Sequence, residues 1–183
     1  MSKKILSVKF PEKRKAPGSN KLKVISKGMK TPIATVHFCA LATPTFFSGS
    51  TIPRYKVQLA FDPKNSEHKG FLKSLSLLAE ELDAKFILKE NQDGLLLVTF
   101  RSREMPKVKM LEYGKKRATS VELAHDMPKG FKCSVKFDLK KYQELHTKEF
   151  AFTFPPIEVV FHLDESTKDL IEVSNGDCED TGD

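Results

Sequence analysis

Cationic and apolar residues alternate in four segments of the chain, and this alternation is the pattern with the clearest chemical meaning. In residues 54–61, RYKVQLAF, a period of two places Arg54 and Lys56 on one face of a strand and Val57 and Phe61 on the other. Similar alternation occurs in residues 95–103, 107–110 and 131–138. Cations on the outward faces of neighbouring strands can line one groove and follow a phosphate backbone, although outward lysines also serve solubility and edge protection. The predicted phosphate-binding residues are Arg54, Lys56, Arg101, Arg103, Lys107, Lys109, Lys132 and Lys136.

Aromatic residues at loops and strand ends are the second chemical signal, because unpaired bases bind to proteins by stacking on rings. The chain has 14 Phe, 3 Tyr and no Trp. Phe61, Phe100, Phe131 and Phe137 fall on inferred inward faces and are predicted to be core residues. The predicted stacking residues, for each of which partial packing is the alternative role, are Tyr55, Phe47 with its neighbour Phe46, Tyr113 and Tyr142.

The usual sequence signatures of catalysis are missing. The chain contains no glycine-rich nucleotide loop, no HExxH, no GxSxG and no paired CxxC motif. His37, Cys39 and Cys133 would hold a metal only if their strands were adjacent, and a thiol on a strand is more often a small core residue. We therefore predict a protein that is not an enzyme, with no catalytic residue, no metal site and no cofactor. The alternative of a nuclease requires a carboxylate cluster assembled in space.

Charge divides the chain into a basic body and an acidic end. The net charge is +7 overall, and the eight acidic residues and one lysine from Asp164 onward contribute −7, which leaves +14 on residues 1–163. Residues 1–30 hold ten Lys or Arg and one acidic residue, Glu12. Such a division favours a polyanionic partner, with a tail that competes for the same site.

Cysteine usage and hydropathy indicate the compartment. Three widely spaced cysteines argue against a disulfide framework and for a reducing environment. The longest apolar runs fall far short of the ~20 residues that span a bilayer. The N-terminus, MSKKILSVKFPEKRK, lacks the apolar segment of a secretory signal. We expect no membrane association.

The remaining periodicities predict one helix among seven or eight strands. Apolar residues recur at three- and four-residue spacing in 66–83, with Asn65 or Ser66 as N-cap, and Asp93-Gly94 predicts a hairpin. Strands are predicted at 33–41, 53–61, 85–89, 95–103, 107–111 and 131–139, with a last one broken at Pro155-Pro156. One helix among seven or eight short strands favours a small barrel or sandwich. The predicted domains are a basic arm (1–30), a β domain (31–163) and an acidic flexible tail (164–183).

The order of these elements is also informative: RYKVQLAF, an amphipathic helix, DGLLLVTFR, GFKCSVKFDLKKY, and KEFAFTFPPIEVVF before an acidic tail. In this order, over about residues 28–183, the chain resembles the single-stranded DNA-binding proteins of tailed bacteriophages. The resemblance implies an OB-fold barrel that binds single-stranded DNA in replication and recombination, in the cytoplasm of an infected bacterium. It implies binding through the cations and rings named above, and replisome partners such as the polymerase for the acidic tail. The long basic arm and the terminal Asp183, in place of a terminal aromatic, depart from the family.

The leading hypothesis is therefore a non-enzymatic, OB-fold-like protein that coats single-stranded DNA and is modulated by its tail. The alternative is a nuclear chaperone or structural interaction protein with a β-sandwich, for which KRK at residues 13–15 would direct import. The sequence leaves open the preference for DNA or RNA, the bases preferred, the role of the basic arm, and the oligomeric state, a homodimer included.

Overall fold

The computed structural model describes residues 6–8, 22–46 and 48–165 and contains twelve strands and one helix in this part of the chain. The helix α1 (Ser66–Glu81) lies between β4 and β5, and no helix among the described residues is long and apolar enough to cross a membrane. The strands are β1 (Leu6–Val8), β2 (Leu22–Lys30), β3 (Ala34–Thr45), β4 (Arg54–Phe61), β5 (Ala84–Lys85), β6 (Lys89–Glu90), β7 (Leu96–Ser102), β8 (Lys107–Leu111), β9 (Thr119–Ser120), β10 (Lys132–Gln143), β11 (Phe150–Thr153) and β12 (Pro156–His162).

The strands form a partly open barrel. Antiparallel pairing joins β3 to β4 and β4 to β7, and β10 pairs antiparallel with β2, β3, β11 and β12. The sheet closes where β8, which follows β7 in the chain, pairs in parallel with β12, and where the Arg101 amide donates to the Phe154 carbonyl at 3.2 Å. This connectivity is the OB arrangement. It confirms the predicted fold class, a mainly β OB-like barrel with one amphipathic helix, rather than the sandwich of the alternative hypothesis.

Strand β2 occupies residues that the sequence assigned to the basic arm. It pairs antiparallel with β10, and the pairing shifts register beside Gly28, whose φ of +67° favours glycine. The Gly28 amide donates to Asp138 Oδ1 at 3.0 Å, which satisfies the backbone group displaced by the shift. Residues 22–30 are therefore part of the sheet. The rest of the predicted arm, apart from β1, and the tail beyond residue 165 lie outside the described residues.

Helix α1 is anchored at its N-terminus. The Asn65 side chain accepts hydrogen bonds from the amides of Glu67 and His68, as expected of an N-cap. His68 Nδ1 accepts from the Asp62 amide at 2.9 Å, so Nε2 carries the proton and donates to the Ile33 carbonyl at 2.7 Å. The imidazole thereby links the helix to the end of β4 and to the residue before β3. The predicted helix at 66–83 is confirmed to within two residues.

Phenylalanines fill the barrel interior. Phe61, Phe100 and Phe137 are fully buried and Phe131 nearly so, as predicted from their alternation with polar residues. The ring centroids of Phe100 and Phe137 lie 5.0 Å apart, and Phe154 meets Phe137 edge-on at 5.8 Å. Such contacts contribute about 0.5–1.5 kcal/mol per pair beyond the burial of apolar area. This core holds the surrounding strands, and hence their outward side chains, in fixed register.

Residues 84–90 differ from the single strand predicted there. The short strand β5 pairs in parallel with β11, whereas β6 pairs antiparallel with β7 through the predicted Asp93-Gly94 hairpin. The segment therefore bridges the gap between β11 and β7, where the barrel would otherwise be open. The predicted break at Pro155-Pro156 is confirmed, because β11 ends at Thr153 and β12 begins at Pro156.

Candidate nucleic-acid interface

Two neighbouring strands, β4 and β7, present cations on one outward surface. Strand β3 borders them on this surface, which we call the β3–β4–β7 face. In the pairing register, Lys56 lies beside Arg101 of β7 and Ala40 of β3. Arg54 lies two residues before Lys56 in β4, opposite Thr45 of β3. The inward residues Val57 of β4 and Phe100 of β7 are fully buried. Because side chains alternate along a strand, the cations of these two strands point outward.

Three cations of this face influence one another electrostatically. Burial, and then the positive charges of Arg101 and Arg103, lower the pKa of the Arg54 guanidinium. Guanidinium groups stay charged at neutral pH, so the cluster maintains a concentrated positive potential. Positive charges that converge at a surface attract anions.

The β3–β4–β7 face deepens into a groove of about 280 Å³ beside the bridging segment 84–90. Ile87 of this segment is 67% exposed although it is strongly apolar. The groove therefore combines apolar and cationic groups, which suits a ligand with flat rings and a charged backbone. Its lining residues are Gln58, Lys85, Phe86, Ile87, Lys89, Leu97, Val98, Thr99, Arg101, Phe152, Thr153 and Phe154.

The other four predicted cations lie on a second surface, the β8–β12–β10 face. The register places Glu158 of β12 beside Lys107 of β8 and Lys136 of β10. Lys109 Nζ lies 3.1 Å from Glu158 Oε2, an ion pair that offsets part of the positive charge. Strand positions thus divide the eight cations into two clusters, with Arg103 just beyond the end of β7. The roles of both clusters in binding stay predictions.

The edge of the β8–β12–β10 face contains a second ion pair and a partly buried histidine. Lys132 Nζ lies 3.8 Å from Asp164 Oδ2, at the start of the predicted acidic tail. His162, opposite Lys132 in the register, is hydrogen bonded through Nε2 to Ser134 Oγ at 2.8 Å. Burial lowers the pKa of His162 from its ordinary value of 6.5.

This shifted pKa predicts a pH dependence of stability. The unfolded chain binds the His162 proton more readily than the folded chain, so its contribution to stability is present above about pH 6.5 and is lost as the pH falls toward the lower folded pKa. We expect the free energy of unfolding of wild type minus that of His162→Gln, measured with urea, to be larger at about pH 7.5 than at about pH 5.5. Subtracting the variant removes the titration of all other groups. An unchanged difference between the two pH values would contradict the prediction.

The predicted stacking residues are scattered. Tyr55 is half-buried and packs against the core, on the opposite side of β4 from Arg54. Tyr113 is 58% exposed in the turn after β8, and Tyr142 is half-buried near the end of β10. Phe46, directly after β3, is 56% exposed, and Phe47 lies outside the described residues. The stacking roles of these residues stay predictions.

The two described cysteines are buried. Burial raises the pKa of both thiols, Cys39 and Cys133, so both are neutral at physiological pH. Among residues 6–8, 22–46 and 48–165, no three His, Cys, Asp or Glu side chains form a group that could hold a metal ion. Both thiols belong to the hydrophobic core.

Three further residues of the β3–β4–β7 face, Gln58, Thr99 and Phe38, are not among the predicted binding residues. Gln58 follows Arg54 and Lys56 in the outward alternation, so the period of two already places it there. Its Nε2 donates to Thr99 Oγ1 at 3.0 Å. Phe38, opposite Gln58, is 46% exposed, and no sequence pattern indicates this because a register shift exposes it.

The fold of this chain also occurs in solved structures of bacteriophage proteins. No protein-family model and no curated protein sequence matches the chain. The single-stranded DNA-binding protein gp2.5 of bacteriophage T7 superposes with a TM-score of 0.59 at 14% identity, covering 90% of this chain and 98% of its own. This chain has the fold of a bacteriophage single-stranded DNA-binding protein.

Two structures of the protein from bacteriophage Enc34 agree with this likeness. The C-terminally truncated form superposes with a TM-score of 0.57, and the complex with single-stranded DNA with 0.56. Each is 15% identical and covers 90% of this chain and 98% of its own. The structural resemblance to the phage proteins that the element order suggested is thereby confirmed.

Proposed function

We propose that this protein binds single-stranded DNA without catalysis and acts in DNA replication and recombination in the cytoplasm of an infected bacterium. The observation that carries the proposal is the convergence of Arg54, Arg101 and Arg103, with Lys56 beside them, on the outer wall of an OB-like barrel. The outer wall formed by the second and third OB strands, here β4 and β7, is a surface that binds oligonucleotides in this fold. A neighbour of the same fold binds single-stranded DNA.

Affinity in this proposal comes from two sources. Phosphates contact the cations of the β3–β4–β7 face and release counterions, while unpaired bases enter the partly apolar groove beside residues 84–90. A duplex hides the faces of its bases, so it gains only the first of these contributions. Single strands are therefore preferred.

The acidic tail modulates binding in this proposal. The ion pair between Lys132 Nζ and Asp164 Oδ2, at 3.8 Å, joins the first residue of the tail to one of the eight predicted phosphate-binding cations. Contact of the tail with the polymerase or other replisome proteins, and homodimer formation, stay predictions.

Fluorescence anisotropy tests the proposal. We expect the full chain to bind a single strand of about 30 nucleotides, longer than the 4–16 bound per OB fold, more tightly than the matching duplex. If the four cations of the β3–β4–β7 face each contact a phosphate, the plot of log affinity against log salt has a slope of roughly −3. A chain that ends at Leu163 binds more tightly than the full chain, because the competing carboxylates are gone.

Other outcomes reject the proposal in part or in whole. Equal binding to duplex and single strand would leave only a basic protein of this fold. Tighter binding by the full chain than by the shortened one would reject competition by the tail. Absence of binding by both would favour the interaction-protein hypothesis.

A further inference from the structure

A bulge in β3 turns one phenylalanine toward solvent. Val36 pairs with Leu59, but the next pairing joins Phe38 to Gln58. Strand β3 therefore advances by two residues where β4 advances by one. Val36 and Cys39 stay inward and buried, whereas Phe38 is 46% exposed. An uninterrupted register would have kept Phe38 in the inward alternation with Val36.

The bulge is unfavourable for the isolated protein. It leaves a large apolar ring in water, and His37 Nδ1 is buried without a hydrogen-bond partner among the described residues. Bulges that carry such costs occur beside functional sites, where they redirect a side chain. A ligand that covered the Phe38 ring would bury its exposed apolar surface and so offset part of the cost of the bulge.

The surroundings of Phe38 have the chemistry of a nucleotide site. Gln58 lies directly beside it in the register, and its carboxamide keeps an acceptor oxygen and a second N–H after donating to Thr99 Oγ1. Lys56 and Arg101 form the adjacent row of the face, two residues or about 6.8 Å along the strand. The three kinds of group follow one another as the parts of a nucleotide do: the Phe38 ring suits the face of a base, the Gln58 amide its edge, and the Lys56–Arg101 row a phosphate.

We propose that Phe38 is the ring on which a base of the bound strand stacks, with the Gln58 amide at the edge of that base and the Lys56–Arg101 row on its phosphate. The proposal rests on single-stranded DNA binding as the function, and it adds a stacking residue that pairs directly with an outward residue of β4. Stacking on one ring contributes about 1–3 kcal/mol per base.

Two probes of equal length separate stacking from phosphate contact. We expect Phe38→Ala to bind an oligothymidylate of about 30 nucleotides roughly tenfold more weakly than wild type, and an abasic strand with the same number of phosphates equally well. Phe38→Tyr keeps the ring and stays within about twofold of wild type on both probes. Leu77→Ala, which removes an apolar side chain 54% exposed on helix α1, changes neither affinity.

A tryptophan variant measures stacking directly. The chain has no tryptophan, so Phe38→Trp introduces a single indole whose fluorescence the oligothymidylate quenches and the abasic strand does not. Equal quenching by both probes, or wild-type affinity of Phe38→Ala for oligothymidylate, would overturn the assignment. Equal losses on both probes would also reject stacking. Failure of wild type to bind oligothymidylate is a different result, which rejects the proposed function and this inference together.

Discussion

Replacing Arg54 and Lys56 together by glutamate is expected to lower affinity for single-stranded DNA about 100-fold at moderate salt, or about 2.8 kcal/mol. The double change removes two phosphate contacts and places two carboxylates in the path of the backbone. The variant also loses counterion release at two positions, so its slope of log affinity against log salt is shallower by about 1.4. Anisotropy titrations across a salt series measure both quantities.

The fold should survive this double change. Glutamate at residue 54 would stand beside Arg101 and Arg103, whose charges now lower the pKa of Arg54, so repulsion becomes attraction. Both side chains point away from the core that Val57 and Leu59 enter from the same strand. We therefore expect the midpoint of thermal unfolding to stay at or above that of wild type.

A matched control separates the site from the overall charge. Lys69 and Lys73 are exposed on helix α1, and replacing both by glutamate changes the net charge by the same amount. This control should reduce affinity only slightly, through long-range potential that salt screens. If the two double variants bind equally, net charge and not the β3–β4–β7 face determines affinity, and the placement of the site is wrong.

Replacing Asp126 by alanine is expected to destabilise the fold by about 3 kcal/mol. Asp126 Oδ1 accepts hydrogen bonds from the amides of Leu41, Ala42 and Thr43, at 2.8, 2.7 and 3.3 Å. These amides lie where the pairing of β3 with β4 is interrupted between Ala40 and Thr45, so no neighbouring strand replaces the lost acceptor. Donors left unsatisfied beside the buried Leu41 cost more than ordinary surface groups.

Urea denaturation measures this loss, and asparagine at the same position is the graded control. An asparagine side chain keeps an acceptor oxygen without the negative charge, so the Asp126→Asn variant should lose less than half as much stability as Asp126→Ala. Lys64→Ala, a change at an exposed residue in the turn before helix α1, should lie within about 0.5 kcal/mol of wild type. A loss below about 0.5 kcal/mol for Asp126→Ala would show that water replaces the carboxylate and that Asp126 does not hold β3 in place.

Local periodicity was enough to predict the helix and several of the longer strands. The alternation in β4, the three- and four-residue spacing in α1 and the Asp93-Gly94 turn each depend on neighbours along the chain, and each is confirmed within a few residues. The inward phenylalanines followed from the same alternation. Such signals are visible in a sequence because the interactions that cause them span only a few residues.

Short elements without periodicity were missed or misplaced. The strand β9 was not predicted. One strand was predicted at residues 85–89, whereas residues 84–90 contain two short strands with different partners. Pairs of residues are too short to carry a period. Their backbone is extended because β8, β11 and β7 offer hydrogen bonds to it.

The phenylalanine core, the helix and the cationic outward faces of the strands all follow from residue patterns along the chain. Which of those cations meet depends instead on strand pairing: Arg54 joins Arg101 and Arg103, whereas Lys109 is paired with Glu158 on another face. Strand pairing also determines that Phe38 points outward. Register between strands far apart in the chain sets these contacts, and a shift of one residue reverses the face on which a side chain lies.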